Sequence, residues 1–267
     1  MTGWRDVQVD WEKYRAAIWR PKTATLKPVR RMDPVSADLL VGIDTQKQAL
    51  FDNTRRFLQG KPANHALLWG SRGTGKSSLI KALLNTFADD GLRCVEVNFH
   101  DLDDIPEIID QLDGEDTREY RFILFCDDLA FERGDARYKA LKSILEGSLE
   151  LPPENVLLYA TSNRRHLLPE DMAANRDTRI VEGELHHGDQ VEETLSLADR
   201  FGLWLSFYPA DWDTYLRMVD QLFTDYVGDR AELHTAAKQF AMLRASHSGR
   251  TAQQFYKGFT LQAQERK

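Results

Sequence analysis

Residues Gly70 to Ser77 read G-S-R-G-T-G-K-S, between an apolar run from His65 to Trp69 and a helix-forming stretch, S-L-I-K-A-L-L, from Ser78 to Leu84. This order of strand, glycine-rich turn, Lys-Ser and helix leaves the chain few choices. Gly70, Gly73 and Gly75 let the backbone curl until successive N–H groups face one point, at the positive end of the helix that follows. Such a cradle suits the phosphates of a nucleotide, with Ser71, Arg72, Thr74 and Ser78 completing the loop and its exit. Lys76 sets a charge against the β- and γ-phosphates, and Ser77 offers a hydroxyl to Mg²⁺. The expected ligands are therefore ATP and Mg²⁺.

A loop of this kind needs a carboxylate at the end of a neighbouring strand to hold the metal's water shell. The run F-I-L-F-C-D-D, residues 122–128, supplies two. Asp127 is assigned to the Mg²⁺ shell and Asp128 to polarising the attacking water. Aspartate is one methylene shorter than glutamate, so hydrolysis through Asp128 is expected to be slow. Glu132 is a substitute base or a surface residue.

Around these motifs, apolar runs alternate with helix-length segments. His65 to Trp69, Cys94 to Phe99, Phe122 to Cys126 and Val156 to Ala160 are strand-sized, and Gly202 to Tyr208 adds a fifth. That alternation predicts an α/β fold with a mainly parallel sheet buried on both faces. Ahead of it, Asp44 opens a helix carrying Leu50, Phe51, Phe57 and Leu58, ended by Gly60 and Pro62. Beyond Pro209 only helices are expected, the first presenting Trp212, Tyr215, Leu216, Val219, Leu222, Phe223 and Tyr226 on one face. The chain divides into an N-terminal extension (1–36), an ATPase core (37–209) and a helical lid (210–267).

Composition excludes several classes. With 42% hydrophobic and 29% charged residues the chain is that of an ordinary folded protein, and its apolar runs fall far short of the roughly 20 residues a bilayer span needs. The opening M-T-G-W-R-D lacks a signal-peptide core, and a cytoplasmic location is expected. A net charge of -7 argues against a surface that grips nucleic acid throughout. One basic stretch stands apart: Lys13, Arg15, Arg20, Lys22, Lys27, Arg30 and Arg31, interleaved with Trp11, Tyr14 and Trp19. With Pro21, Pro28 and Pro34 it reads as an amphipathic helix and linker packed on the body, or else as a docking arm for an acidic partner. The acidic stretch from Asp101 to Glu119 reads as solvated surface. Cys94 and Cys126 sit in apolar runs and read as reduced core residues. His186 and His187, adjacent on a strand, would face opposite sides, so no zinc site is expected.

From about Leu39 to Phe259 the sequence resembles AAA+ ATPases. Within them it resembles an uncharacterised group of stand-alone bacterial ATPases, through C-D-D-L-A-F-E (126–132), Y-K-A-L-K-S-I-L-E-G (138–147) and D-R-F-G-L-W-L-S-F (199–207). The resemblance implies a five-stranded α/β core with a C-terminal helical lid. It makes Asn163 the polar sensor that orients the attacking water, places Leu40, Val41, Gly42 and Ile43 at the adenine, and makes Arg250 the lid arginine that reaches back to the nucleotide. Arg200 takes the place of an arginine finger serving a neighbouring subunit, with Arg176 and Arg179 as competitors. The implied activity is ATP hydrolysis by a homo-oligomer formed with ATP, coupled to rearrangement of a protein or nucleic-acid client. Two other readings stand beside it: a nucleotide-gated adaptor or loader with incidental hydrolysis, and a small-molecule kinase. The all-helical tail and the lack of a substrate-pocket motif weigh against the kinase.

Overall fold

The computed structural model describes residues 9–131, 153–164, 179–181, 184–186 and 200–265, together with Asp135, Arg137, Leu141 and Leu145. Its centre is β5 (Arg121–Cys126), continuously apolar and buried from Phe122 onward. Side chains alternate across it: Phe122, Leu124 and Cys126 enter one buried cluster, while Ile123 and Phe125 enter the other. A strand buried on both faces must be apolar throughout, which is why this run has no polar phase. Around it the strands are β1 (Ala16–Arg20), β2 (Thr25–Pro28), β3 (Ala66–Gly70), β4 (Leu92–Val97), β6 (Val156–Ser162) and β9 (Leu203–Phe207). A separate antiparallel pair is formed by β7 (Arg179–Val181) and β8 (Glu184–His186).

The main sheet runs β2-β1-β4-β5-β6-β3-β9, parallel everywhere except at β2. Helices α1 (Asp44–Leu58) and α2 (Lys76–Phe87) bring Leu50, Phe57, Leu79 and Leu83 to the cluster on one face. Helix α3 (Ile105–Leu112) covers the other face through Ile105, Ile108 and Leu112, all fully buried. The acidic stretch is thus an amphipathic element most of whose acidic residues are exposed, Asp101 and Asp104 being half-buried, not a wholly solvated segment.

The expected five strands become seven because part of the supposed N-terminal extension belongs to the sheet. Residues 16–28 form a hairpin, not a helix and linker, and β1 pairs in parallel with β4, Ala17 opposite Val95. Trp19 is 1% exposed and its indole N–H donates to Asp104 Oδ2 at 2.8 Å. The prolines that forbid a long helix are compatible with this hairpin. Pro21 opens a short 3₁₀ turn, and Pro28 closes the edge strand β2, where a missing N–H is tolerated. The basic residues Lys13, Arg15, Arg20, Lys22, Lys27, Arg30 and Arg31 stay exposed around this hairpin.

Past Pro209 the described chain is helical: α4 (Trp212–Leu222), α5 (Arg230–Leu243) and α6 (Gly249–Glu265). Asp211 and Asp229 cap α4 and α5, each accepting a backbone N–H at 2.7 Å. The three helices share their own cluster, built on Tyr215, Val219, Phe223, Leu233, Ala237 and Phe255. Cys94 and Cys126 are buried free thiols, both raised above the ordinary cysteine range by burial. His187 lies outside the described residues, as does the side chain of His186; no group of three or more His, Cys, Asp or Glu residues placed to hold a metal occurs among the described residues. No described helix is long and apolar enough to cross a membrane.

Candidate nucleotide-binding site

Strand β3 ends at Gly70 and α2 begins at Lys76, with the glycine-rich turn between them. Gly70, Gly73 and Gly75 have φ of 132°, 77° and 98°, conformations a side chain would strain. At Gly70 there is no space either: a Cβ would run into the Phe207 carbonyl oxygen of β9, which also accepts the Ser71 N–H at 3.1 Å. Lys76 is 7% exposed and donates through Nζ to the Gly70 and Ser71 carbonyls, both at 2.8 Å, and to Asn163 Oδ1 at 3.1 Å. Burial pushes the Lys76 ammonium below its usual pKa. Asp128 and Asp127 pull it back up, while Arg250 and Arg72 add to the lowering.

The carboxylates meet this lysine because β6 lies between β3 and β5 in the sheet. Asp127 and Asp128 follow the end of β5, and the end of β6 places Thr161 and Asn163 beside them. Ser77 Oγ donates to Asp127 Oδ1 at 2.7 Å, and Thr161 Oγ1 donates to the same oxygen at 2.5 Å. The Thr161 hydroxyl also accepts the Asp128 N–H at 2.9 Å. Asp128 has φ of 59°, an uncommon conformation for a non-glycine residue. Its carboxylate accepts from Asn163 Nδ2, so Asn163 bridges Lys76 and Asp128.

A cleft of ≈ 650 Å³ opens over this group. Its lining brings together most of the sequence-predicted residues: Val41, Ile43, Arg72, Gly73, Thr74, Gly75, Lys76, Ser77, Ser78, Asp127, Asp128, Asn163 and Arg250, with Leu40 among them. Gly70 and Ser71 stand behind it as acceptors for Lys76. Gly42 does not line the cleft. It has φ of 78°, and a Cβ there would meet Thr214 Cγ2 of α4 at 2.5 Å, so its task is to let α4 approach. The same holds at Gly73, where a Cβ would meet Ser248 Oγ at 2.8 Å, just before α6 and Arg250.

Arg200 lies elsewhere. Strand β9 runs beside β3 with Leu203 opposite Ala66 and Phe207 opposite Gly70, and Arg200 precedes it. The five residues of β9 alone span roughly 13 Å, so Arg200, before the start of the strand, lies at the end of the sheet away from the glycine-rich loop. Glu132 and Arg176 lie outside the described residues, as does the side chain of Arg179. Sequence reasoning missed Thr161, Lys81, Gln221 and Ser248. Gln221 Nε2 donates to the Asp38 carbonyl at 3.2 Å and ties α4 to the segment before Val41. Thr161 and Ser162, the polar end of an otherwise apolar strand just before Asn163, were the one available signal for Thr161.

A sheet in which β6 separates β3, leading into the glycine-rich turn, from β5, ending at the two carboxylates, joined to a three-helix unit over the cleft, has the AAA+ P-loop fold. The chain belongs to the family described as "protein of unknown function (DUF815)", whose pattern matches residues 12–263. No curated protein matches it. Among solved structures it is similar to the ORC1 protein of Aeropyrum pernix in complex with DNA, with 17% identity and a TM-score of 0.52. That match covers 80% of this chain and 58% of ORC1. It is also similar to RuvB, the Holliday junction branch migration motor of Thermotoga maritima, with 14% identity and a TM-score of 0.45 over 84% of this chain and 72% of that one.

Proposed function

We propose that this chain binds Mg·ATP in the cleft between core and lid and hydrolyses it to ADP and phosphate, coupling the cycle to rearrangement of a macromolecular partner. The observation that carries the reading is the convergence of Lys76, Ser77, Asp127, Asp128 and Asn163 from three separate stretches of chain on one cleft. These residues suit the ligand. Ser77 and Asp127 present hard oxygens 2.7 Å apart, the donors Mg²⁺ takes, and the cleft has the size of a small-molecule site. When bound, the metal would neutralise charge on the phosphates. Lys76, held by two carbonyls, is poised to exchange one for phosphate oxygens. Asp128 orients and takes a proton from water, and Asn163 fixes that carboxylate. Leu40, Val41 and Ile43 supply the apolar wall for the base, and Arg250 closes from the lid.

Arg200 cannot serve its own nucleotide at this distance, so its finger role requires a homo-oligomer formed with ATP. The exposed basic residues of the β1–β2 hairpin are the surface for an acidic client, protein or nucleic acid. The test is nucleotide affinity and phosphate release in two variants. Lys76→Ala should weaken ATP binding; Asp128→Asn should keep Mg·ATP binding and lose turnover. Unchanged affinity and turnover in Lys76→Ala would refute the reading. One observation favours the adaptor as runner-up: Asp128 is a short carboxylate already tied to Asn163. Wild-type turnover no faster than that of Asp128→Asn, with a lid that still responds to ATP, would select it.

A further inference from the structure

Among the described residues four cations line the cleft, and two of them are already committed. Lys81 pairs with Asp33 at 3.0 Å, and Lys76 donates to Gly70, Ser71 and Asn163. Arg250 belongs to the lid. Arg72 is the fourth: it is exposed, lines the same cleft as Asp128 and Asn163, and forms no hydrogen bond or ion pair among the described residues.

Its position in the loop sets what it can reach. Lys76 Nζ lies 2.8 Å from the Ser71 carbonyl oxygen, and that carbonyl is bonded to the Arg72 nitrogen. Standard backbone dimensions then put the Arg72 Cα within about 6 Å of the Lys76 ammonium. An extended arginine spans that distance, so from its place on the cleft lining its guanidinium is within reach of a phosphoryl oxygen beside Lys76. The next residue, Gly73, packs so closely on Ser248 that it has no room for a methyl group, and the lid walls the loop there. Arg72 itself is exposed. An arginine also presents a planar fork of donors able to take two phosphoryl oxygens at once, which a lysine cannot.

We propose that Arg72 is a catalytic residue supplied in cis, its guanidinium covering the terminal phosphoryl oxygens beside Lys76 so that each subunit carries its own transition-state cation. The proposal rests on the ATPase reading of the site. In the step it serves, a water oxygen bonds to the γ-phosphorus as the bond to the β–γ bridging oxygen breaks. The water proton passes to Asp128 and on to solvent, and ADP leaves. Arg72 exchanges no proton; it meets the charge that spreads over the three γ-oxygens. Hydrolysis then retains a component independent of assembly, and a finger from a neighbour adds to it.

The experiment compares wild type, Arg72→Ala and Arg72→Lys in three measurements: affinity for fluorescent ADP, phosphate release across a range of protein concentrations, and trapping of ADP with aluminium fluoride. For Arg72→Ala, ADP affinity is expected within a few-fold of wild type, with turnover lower by on the order of 10² or more and trapping lost. Arg72→Lys should restore little of either. Mixing Arg72→Ala with Lys76→Ala subunits should restore nothing, because a cis residue cannot be lent. Turnover of Arg72→Ala within about threefold of wild type, an equal loss of ADP affinity and trapping, or rescue by mixing would each overturn the proposal. A wild-type chain that binds ATP and releases no phosphate would count against the ATPase reading alone. The trapping arm still reads Arg72 in that case, since it needs no turnover.

Discussion

Replacing Thr161 by valine keeps the shape of the side chain and removes two hydrogen bonds at once. Thr161 is 2% exposed, its hydroxyl donating to Asp127 Oδ1 at 2.5 Å and accepting the Asp128 N–H at 2.9 Å. The Asp127 carboxylate is exposed and keeps Ser77, so water can replace one bond there at small cost. The Asp128 N–H is only part-buried, so losing its partner costs about 1 kcal/mol, the low end for a donor that water can partly reach. It also helps hold Asp128 at φ of 59°, a conformation that disfavours side chains by roughly 1–2 kcal/mol. Taken together, Thr161→Val should lose about 1–2 kcal/mol of stability, and the released turn should let both carboxylates drift. Urea denaturation should show a lower midpoint with an unchanged slope. The Mg²⁺ concentration for half-maximal turnover should rise, and kcat should fall about tenfold, the equivalent of roughly 1.4 kcal/mol. Thr161→Ser retains the hydroxyl and should recover Mg²⁺ dependence and kcat together. A valine variant with wild-type stability and Mg²⁺ response, or a serine variant as poor as valine, would refute the positioning role.

Two further outcomes follow from groups outside the cleft. His65 accepts the Leu158 N–H through Nδ1 at 2.9 Å, and burial pulls its pKa from 6.5 down to about 4. The unfolded chain therefore takes up this proton first: its contribution is complete above pH 6.5 and is lost as pH falls towards 4, by roughly 2–3 kcal/mol after allowing for partial exposure of the ring. His65→Gln should flatten that part of the stability profile between pH 7 and 4.5, and an equal loss in both proteins would count against it. Deleting residues 1–31 should remove β1 and Trp19 from beside β4 and expose the core residues they cover, so the truncated chain should unfold at a lower temperature or fail to fold. Trp19→Ala alone should cost about 3–5 kcal/mol; a truncated chain as stable as wild type would show the hairpin to be dispensable.

The site was legible to the extent that its chemistry restricts residue types. A glycine-rich turn between strand and helix and a carboxylate pair closing an apolar run restrict residue types at fixed offsets, so the places of the loop and of Asp127 at one cleft can be read in one dimension. Strands buried on both faces announce themselves as well, as F-I-L-F-C does. The β1–β2 hairpin carries no such signal. Ala16 and Ala17 add little hydrophobicity, Arg15 and Arg20 bracket the strand, and two prolines suggest a linker. Its place is decided by the uncovered edge of β4 and by the Trp19 bond to Asp104, 85 residues away. Thr161 is hidden for a related reason. Its partner carboxylate is 34 residues distant, and only the strand order makes them neighbours.

That strand order also explains how one asparagine can connect the two sides of the cleft. With β6 between β3 and β5, Asn163 accepts from Lys76 through one amide atom and donates to Asp128 through the other. An amide has one acceptor and one donor end, so a phosphate that draws Lys76 away leaves the acceptor end free while the donor end still holds the carboxylate. The lid meets the core at two glycines, Gly42 against Thr214 and Gly73 against Ser248, with no space for a methyl group at either. A shift of the phosphate loop would therefore press on the start of α6, and a shift of the segment around Val41 would press on α4. Close packing transmits such displacements because neither contact has slack to absorb them. The Gln221 bond to the Asp38 carbonyl, between exposed residues, is the weaker tie and the place where lid and core can part.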